Sequence, residues 1–325
     1  MAEPIALGIV GFGIMGERLA RFAAGHERVR LAGVWDPAPE AAARLAAAAP
    51  GVPLLPSAAE VIAACDCLYV ACPPAFHLEH ARAAFAAGKA AFLEKPLAVD
   101  LADARAFVAA AEAAGARGAV NFPMASSPAV AQLTAWREAG AVGAPRELSI
   151  LTAFAAWPRS WQRDAASWLD APAQGGFTRE VVSHFLFLTR RQLGPLVLEE
   201  ARATFAAPGR SETAIAARLT AGGVPVTLSG GVGITLADDH NAWVLEGPAG
   251  AIRLRDWSFA ERRNPDGTWA AAPDAVPNER MRPMVLRRQL DGVAAMTRGE
   301  PHHLATLREA LEVQEIVEGI LASAA

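Results

Sequence analysis

The sequence predicts an α/β protein with two domains: a doubly wound domain on a parallel sheet, then an α+β domain with a large, mostly antiparallel open sheet. The chain has 325 residues, which suggests two domains at about 100–200 residues each. As far as Asn121, short apolar runs alternate with alanine-rich helical stretches, the pattern of β-α-β units. Later apolar runs follow one another without helices between them. We therefore predict a first domain over residues 1–121 and a second over residues 122–325.

Short apolar runs and helix signals mark the elements of the first domain. Ser57 with Glu60 forms a capping box, and Asp100 can cap a later helix. Gly88 and Gly115 stand where helices are expected to end. The predicted strands are Ile5–Val10, Arg30–Trp35, Val52–Leu55, Cys67–Ala71, Ala90–Leu93 and Gly118–Asn121.

The second domain contains longer β-type runs flanked by helices with periodic apolar residues. The last predicted helix, for example, has apolar residues at helical spacing along its length. The predicted strands are Glu147–Ala155, Leu196–Ala206, Thr213–Thr220, Pro225–Gly231, Ala242–Glu246 and Ala251–Trp257. The predicted helices are Ala129–Ala139, Thr178–Leu193, Met284–Met296 and Leu304–Ala322.

Composition and charge exclude several classes of protein. The chain carries 30 basic and 34 acidic residues, so it offers no polycation to bind nucleic acid. Its longest uncharged stretches, Gly118–Trp136 and Leu219–Ala237, are interrupted by proline, glycine and hydroxyl residues, unlike a membrane-spanning helix. Met1–Gly16 lacks a basic start and a cleavage site, which predicts a cytoplasmic protein. The 3 cysteines are too few for a disulfide framework and match no zinc spacing, so no metal site is predicted.

A glycine-rich loop after the first strand predicts a dinucleotide site. The loop consists of Gly11, Phe12, Gly13, Ile14, Met15 and Gly16, and it opens a helix. In such a loop the first glycine allows the tight turn, the second lets the main chain approach a pyrophosphate, and the third permits close helix packing. Asp36 ends the second strand, about 20 residues further on, where a carboxylate binds a ribose 2′-hydroxyl. The first domain is therefore predicted to be an NAD-binding Rossmann domain.

The same aspartate favours NAD over NADP. A carboxylate at Asp36 repels a 2′-phosphate, and no basic residue follows it before Arg44. The other dinucleotide contacts are expected from loops at the carboxyl ends of the parallel strands. Besides the glycine loop and Asp36, the predicted cofactor residues are Cys72, Pro73, Pro74, His77, Glu94, Lys95 and Asn121.

Lys95 is the first candidate catalytic residue. Only two of the 30 basic residues are lysines, Lys89 and Lys95. Lys89 follows Gly88 at a helix end, where a cation suits the helix dipole, and we interpret it as structural. Lys95 follows the fifth predicted strand, at the edge where a doubly wound sheet binds its ligand. A cation there can stabilise the alkoxide that forms as hydride leaves a substrate.

Glu180 and His184 are the second candidate. They lie four residues apart on a predicted helix and therefore share one face. An imidazole beside a carboxylate suits general acid/base catalysis near neutral pH. Pairs of this kind also occur by chance on many helices, so the pattern alone leaves a structural role open.

Taken together, these residues resemble the Gfo/Idh/MocA family of nicotinamide-dependent oxidoreductases over nearly the whole chain. The resemblance implies that Lys95 is the catalytic lysine and that His184 accepts the proton of the substrate hydroxyl. Glu180 stands where the family usually has aspartate. The resemblance also implies an open antiparallel sheet in the second domain, used for homodimer or homotetramer contacts. The motifs that carry it are Gly11–Gly16, Pro73–His77, Gly88-Lys89, Glu94–Pro96 and Gly175–His184.

A tryptophan-rich and arginine-rich segment is the candidate substrate site. Tryptophan faces suit sugar rings, and arginines suit carboxylate or phosphate groups. Core tryptophans and solvated arginines on a loop are the alternative interpretation. The predicted substrate-binding residues are Lys95, Trp161, Arg163, Arg179 and His184.

The predicted function is hydride transfer between NAD and a secondary alcohol of a sugar, cyclitol or related hydroxy compound. Lys95, His184 and Glu180 are the predicted catalytic residues. The predicted partners are a small-molecule substrate and further copies of the chain, with neither nucleic acid nor membrane. A non-catalytic NAD-binding sensor or regulatory protein on the same scaffold is the alternative. A dehydrogenase acting on a cyclic imine or a hemiacetal would share the fold.

Overall fold

The computed structural model describes residues 3–323, with the main chain alone over residues 163–167. Its strands are β1 (Ile5–Val10), β2 (Val29–Trp35), β3 (Cys67–Val70), β4 (Ala90–Leu93), β5 (Gly118–Val120), β6 (Glu147–Phe154), β7 (Leu196–Phe205), β8 (Glu212–Ala221), β9 (Val224–Val232), β10 (Asp239–Gly247), β11 (Gly250–Arg255), β12 (Phe259–Arg263), β13 (Trp269–Ala271) and β14 (Ala305–Thr306). Its α-helices are α1 (Ile14–Ala23), α2 (Ala41–Ala48), α3 (Ala58–Ala64), α4 (His77–Ala86), α5 (Leu101–Ala113), α6 (Pro128–Glu138), α7 (Ala166–Leu169), α8 (Ser183–Leu193), α9 (Asn278–Arg298) and α10 (Leu307–Ala322).

The chain divides into two compact units. The first unit comprises the residues up to Ser126 together with Pro283–Leu311, and the second comprises Ser127–Arg282 with the residues from Glu312 onward. The predicted single boundary after Asn121 is thereby corrected. It lies five residues further on, and a late segment returns to the first unit because β14 pairs with β5 there.

The first unit contains a six-stranded sheet with the order β14-β5-β4-β3-β1-β2. β1 to β5 are parallel, and β14 alone among the described strands of this sheet runs antiparallel. β3 and β4 are buried at every position, as expected for parallel strands covered on both faces. The predicted Rossmann sheet is confirmed.

One predicted strand of the first unit is reduced to a bridge. Leu54 pairs with Val34 at a single position instead of forming the strand Val52–Leu55. The Val34 N–H donates to the Pro53 carbonyl over 3.0 Å, and the Leu55 N–H donates to the Val34 carbonyl over 2.7 Å. Pro53 has no N–H to extend this ladder, so the segment stops at the bridge.

The second unit contains an eight-stranded sheet with the order β13-β12-β11-β10-β6-β9-β8-β7. Its described strand pairs are antiparallel except for β6 with β9. Trp243 of β10 is fully buried, and its indole N–H donates to the Thr189 hydroxyl of α8 over 2.9 Å. This bond fixes α8 against the sheet, and the predicted antiparallel domain is confirmed.

Two strands of this sheet, β12 and β13, were not predicted. β12 is rich in charged side chains, and β13 has only three residues. Glu261 of β12 is buried and forms ion pairs with Arg253 and Arg255 of β11. Arg253 also lies over the Trp269 ring of β13, 4.2 Å from its centroid. Charged residues that pair across strands leave no alternating apolar pattern in the sequence.

The helices differ from prediction mainly at their ends. α9 begins at Asn278 and contains Pro283 in its interior, whereas the predicted helix began after that proline. The predicted helix from Thr178 begins with a π-helical turn over Thr178–Val182 before α8. Among residues 3–323, no helix is long and apolar enough to cross a membrane.

Candidate functional site

The glycine loop of the first unit shows three different steric environments. Gly11 has φ of +91°, and an added Cβ would lie 2.4 Å from the Cys72 nitrogen. An added Cβ at Gly16 would lie 2.1 Å from the Gly11 carbonyl oxygen. At Gly13, which precedes α1, an added Cβ would meet no atom of the described residues within 4 Å. Two glycines therefore permit close main-chain packing, and the third leaves open space beside a helix N-terminus.

Asp36 is held at this loop by main-chain hydrogen bonds. One carboxylate oxygen accepts the Phe12 N–H over 2.6 Å, and the other accepts the Ala38 N–H over 2.8 Å. A carboxylate has about four acceptor sites, so each oxygen can accept a further hydroxyl. Arg44 donates instead to Glu17, over 2.8 and 3.0 Å. Arg21 and Arg44 together hold the pKa of the Glu17 carboxyl below its usual range.

Glu94 and Asn121 lie side by side just beyond the parallel strands. The Glu94 N–H donates to the Val70 carbonyl over 2.9 Å, and the Asn121 N–H donates to the Leu93 carbonyl over 2.7 Å. These bonds continue the ladder past the ends of β4 and β5. The sheet therefore brings both polar side chains to its carboxyl edge, as predicted for its ligand-binding side.

A buried hydrogen-bond network joins these side chains. The Glu94 carboxylate accepts the Tyr69 hydroxyl and, over 2.6 Å, the Asn121 amide. The Asn121 carbonyl accepts the side-chain amide of Gln289 from α9. All four side chains are at most 8% exposed. The network occupies both ends of the Asn121 amide, which was predicted to contact the cofactor.

Lys95 follows Glu94 directly and is half-buried. It precedes Pro96 through a cis peptide bond. The other lysine, Lys89, follows α4, and its N–H donates to the Ala84 carbonyl over 2.9 Å. Only Lys95 therefore belongs to the carboxyl edge of the sheet.

His77 bridges two loops at the same edge. Its ring is fully buried, with Nδ1 2.9 Å from the Pro96 carbonyl and Nε2 2.9 Å from the Cys72 carbonyl. Burial lowers the pKa of His77 to about 4, so the ring is neutral at pH 7 and donates from one nitrogen. Pro74, the last of the Cys72–Pro74 loop residues, is buried beside it. His77 was predicted to bind cofactor, and its ring nitrogens instead face main-chain carbonyls.

In the second unit, a pair of glycines leads into the π-helical turn. An added Cβ at Gly175 would lie 2.2 Å from the Leu169 carbonyl oxygen, and one at Gly176 would lie 2.2 Å from the Glu212 carboxylate. Glu212 of β8 is buried and accepts the Thr178 N–H over 2.6 Å. Burial raises the pKa of its carboxyl group. Glu212 thus accepts an N–H at the start of the helical segment, Gly176 makes room for its carboxylate, and Gly175 allows the main chain to approach Leu169.

Glu180 and His184 occupy this segment. Glu180 lies half-buried in the π-helical turn, and His184 lies in the first turn of α8, 7% exposed. The His184 ring packs edge-on against Trp257, with centroids 5.6 Å apart and planes at 76°. π-helical turns occur frequently at functional sites. The local structure therefore places a carboxylate in the π-helical turn and an imidazole in the first turn of α8, and their pairing for catalysis stays a prediction.

The predicted substrate residues of this unit have divergent surroundings. Trp161 is 47% exposed, and the Arg159 guanidinium lies 4.8 Å from its ring centroid. Arg179 forms a two-pronged ion pair with Glu318, over 2.6 and 2.7 Å, and also donates to the carbonyls of Pro172 and Gly175. We therefore remove Arg179 from the candidate substrate site. The side chain of Arg163 lies outside the described residues.

Sequence reasoning missed several residues that support the candidate site. Tyr69 is the only tyrosine of the chain, and that count was the one signal pointing to it. Glu212, Gln289 and Trp257 act through contacts with distant segments of their own unit. No local pattern marks such contacts.

The family comparison agrees with this geometry. Residues 5–122 match the model of the GFO_IDH_MocA family, described as an oxidoreductase family with an NAD-binding Rossmann fold. The match covers the glycine loop, Asp36, the Glu94-Lys95-Pro96 motif and Asn121. A search of the curated proteins gave no match.

Solved structures resemble the whole chain. An oxidoreductase from Agrobacterium radiobacter in complex with NAD+, L-tartaric acid and magnesium has a TM-score of 0.82 at 18% identity, covering 98% of this chain and 96% of its own. Scyllo-inositol dehydrogenase from Lactobacillus casei, with NAD(H) and scyllo-inositol, has a TM-score of 0.80 at 15% identity, covering 99% and 97%. UDP-N-acetylglucosamine 3-dehydrogenase from Acidithiobacillus ferrooxidans has a TM-score of 0.79 at 21% identity, covering 100% and 98%. These likenesses establish the fold of both units.

The Tyr69 hydroxyl predicts a specific alkaline transition. Burial, followed by the nearby Glu94 charge, raises the pKa of Tyr69 well above its ordinary value. In the unfolded chain the phenol ionises near pH 10. Stability from the buried phenol is therefore present below about pH 10 and is lost as the pH rises further. We expect tyrosinate absorbance to appear only together with loss of helical circular dichroism.

The Tyr69→Phe variant is the control for this measurement. Because Tyr69 is the only tyrosine, the variant should give no tyrosinate signal at any pH. A phenol that ionises near pH 10 while the circular dichroism is unchanged would contradict the buried network.

Proposed function

We propose that this protein is an oxidoreductase that transfers a hydride between NAD and a secondary alcohol of a sugar, cyclitol or related hydroxy compound. The observation that carries the proposal is the glycine loop with Asp36. At Gly13 the main chain faces open space at a helix N-terminus, and the Phe12 N–H holds the Asp36 carboxylate beside it. Pyrophosphate binds at such a terminus, and ribose hydroxyls bind at such a carboxylate.

The residues present fit the dinucleotide. The first N–H groups of α1 have no partner within the helix, so Gly13, Ile14, Met15 and Gly16 would provide pyrophosphate contacts. The Cys72–Pro74 loop and Lys95 would line the rest of the site. The His77 ring lies between these two segments, with a ring nitrogen 2.9 Å from a carbonyl of each, and its single N–H donates to one of them.

NAD is favoured over NADP by charge. The Asp36 carboxylate is held in place by two N–H groups, and Arg44, the next basic residue, is paired with Glu17. No arginine among the described contacts of Asp36 is placed to receive a 2′-phosphate. A phosphate on the ribose would therefore face an uncompensated carboxylate.

Lys95 and His184 would carry out the proton and charge chemistry. NAD, when bound, supplies the hydride acceptor. The Lys95 ammonium would donate a hydrogen bond to the substrate oxygen and stabilise the developing negative charge. The His184 imidazole would accept the hydroxyl proton, and Glu180 would orient the ring. The buried Glu94 network supports this role because it fixes the residue that precedes Lys95 in the chain.

The substrate is more consistent with an uncharged polyhydroxy compound than with an anion. Arg159 is paired with Asp239 over 2.8 Å and Arg179 with Glu318 over 2.6 Å, so both charges are already compensated. Trp161 is exposed and suits a sugar ring. A similar protein was solved with scyllo-inositol, an uncharged polyol, and another with L-tartaric acid, a hydroxylated dicarboxylic acid. Assembly through the second-unit sheet and a cytoplasmic location stay predictions.

Two glycine variants separate folding from cofactor binding. In Gly13→Ala the new methyl group would occupy the open space, so we expect little change in melting temperature and a large loss of NAD affinity. In Gly16→Ala the methyl group would strike the Gly11 carbonyl 2.1 Å away, so we expect a clear loss of stability. Thermal denaturation and calorimetric titration with NAD measure the two effects. Equal NAD affinity in Gly13→Ala and the unmodified protein would overturn the assigned pyrophosphate position.

The role of Asp36 is tested by cofactor discrimination. We expect the unmodified protein to bind NAD more tightly than NADP. Asp36→Ala should weaken NAD binding and reduce the difference in affinity between NAD and NADP. Removing the carboxylate loses the ribose hydrogen bonds and the repulsion of a 2′-phosphate together. Titration of both cofactors measures this, and tighter binding of NADP by the unmodified protein contradicts the assignment.

The two lysines form a matched pair for testing catalysis. Lys95→Arg keeps the charge but changes the position and shape of the donor, so we expect most of the turnover to be lost. Lys89→Arg should leave turnover unchanged. The assay follows NADH formation over a panel of sugars, cyclitols and hydroxy acids, with His184→Ala as a second inactive variant. An unmodified protein that binds NAD but reduces it with no compound of the panel would favour the sensor alternative.

A further inference from the structure

The turn between β11 and β12 contains two consecutive residues in a strained conformation. Asp256 has φ of +46° and Trp257 has φ of +70°. Left-handed conformations favour glycine or asparagine, and a bulky aromatic residue there is a genuine outlier. Such strain persists only where the surrounding structure enforces it, and it clusters at functional sites.

The side chain of Asp256 accounts for the first of these residues. Its carboxylate accepts hydrogen bonds from the Asn241 N–H and from Arg255, over 3.2 and 2.9 Å, and it lies 2.8 Å from the His240 ring. These bonds close the turn locally. The described contacts of the Trp257 side chain lie outside the turn, so its left-handed conformation needs another explanation.

The Trp257 ring packs on the start of α8. Its centroid lies 5.6 Å from that of the His184 ring and 5.3 Å from that of Phe185. The indole N–H donates to the Asp239 carboxylate over 3.2 Å. The strained turn thus places an indole, anchored by Asp239, nearly perpendicular to the imidazole.

The anchor extends to the candidate substrate segment. Asp239 also accepts the Arg159 guanidinium over 2.8 Å, and Arg159 lies against the exposed Trp161 ring. Arg159 is itself 7% exposed and donates to Gln162 over 3.0 Å. One carboxylate therefore connects the residue that supports His184 with the segment that carries Trp161.

We infer that Trp257 is a positioning residue for His184. The strained turn holds the indole against the imidazole, and Asp239 accepts hydrogen bonds from both the indole and Arg159. The inference rests on the proposed function, in which His184 accepts the substrate proton. The inference also concerns substrate specificity, because a shift of Asp239 would move the Trp257 indole and, through Arg159, the Trp161 ring. A displacement of about 1 Å in such a group can cost about 100-fold in rate.

The test compares Trp257→Leu, Trp257→Phe and a control, Trp269→Leu. Trp269 lies on β13 of the same sheet and stacks on Arg253. With the best substrate of the panel, we expect Trp257→Leu to lower kcat by about 10- to 100-fold with NAD affinity unchanged. Trp257→Phe keeps an aromatic ring beside His184 but loses the hydrogen bond to Asp239, so its kcat should lie between those of Trp257→Leu and the unmodified protein. Trp269→Leu should keep kcat.

A second readout needs no turnover. We expect side-chain NMR relaxation of His184 in the protein without substrate to show a rigid ring in the unmodified protein and in Trp269→Leu, and a mobile ring in Trp257→Leu. A rigid ring in all three proteins overturns the inference, whatever the fate of the hydride-transfer proposal. Equal loss of kcat in Trp257→Leu and Trp269→Leu also overturns it. If the unmodified protein shows no activity but the His184 ring becomes mobile in Trp257→Leu, the proposed function is rejected. The positioning contact between Trp257 and His184 is then still supported.

Discussion

The buried Glu94 carboxylate is the constraint on which the first unit depends. Parallel strands end at one edge of a sheet, and there Glu94 accepts hydrogen bonds from Tyr69 of β3 and from Asn121, which follows β5. Gln289 extends the network to α9. A buried carboxylate is costly unless its hydrogen bonds are satisfied, so the network ties three neighbouring strands to one geometry. Lys95 directly follows Glu94 in the chain, so the network also restricts the main-chain position of Lys95.

In the second unit, a buried carboxylate likewise accepts a main-chain N–H in the segment that leads into α8. Glu212 is buried, accepts the Thr178 N–H and lies against Gly176, where any side chain would collide with it. The first helical N–H groups need partners from outside the helix, and this carboxylate supplies one. The π-helical turn that follows carries Glu180 and leads to His184. In both units a buried acid fixes the main chain next to a candidate catalytic residue.

Arginine and lysine serve different purposes in this chain. Arg179 and Arg159 are largely buried and each makes more than one hydrogen bond, Arg179 to the Glu318 carboxylate and Arg159 to the Asp239 carboxylate and the Gln162 amide, as the planar guanidinium group favours. Arginine therefore has a structural role in the second unit. Lys95 stands apart because an ammonium group acts as a point donor, the form of cation that suits a developing oxyanion.

The sequence by itself determined the fold class of both domains, the glycine loop, Asp36, Lys95 and the Glu180–His184 spacing, because each depends on short-range pattern. Strands as short as Ala90–Leu93 are predicted to the residue, since buried parallel strands are continuously apolar. Only the tertiary structure decided that His77 lies between two loops, that Arg179 pairs with Glu318 and that the Trp257 ring packs against His184. It also returned residues 283–311 to the first unit. These features join segments far apart in the chain, and hydrogen-bond partners at long sequence separation leave no periodic signal.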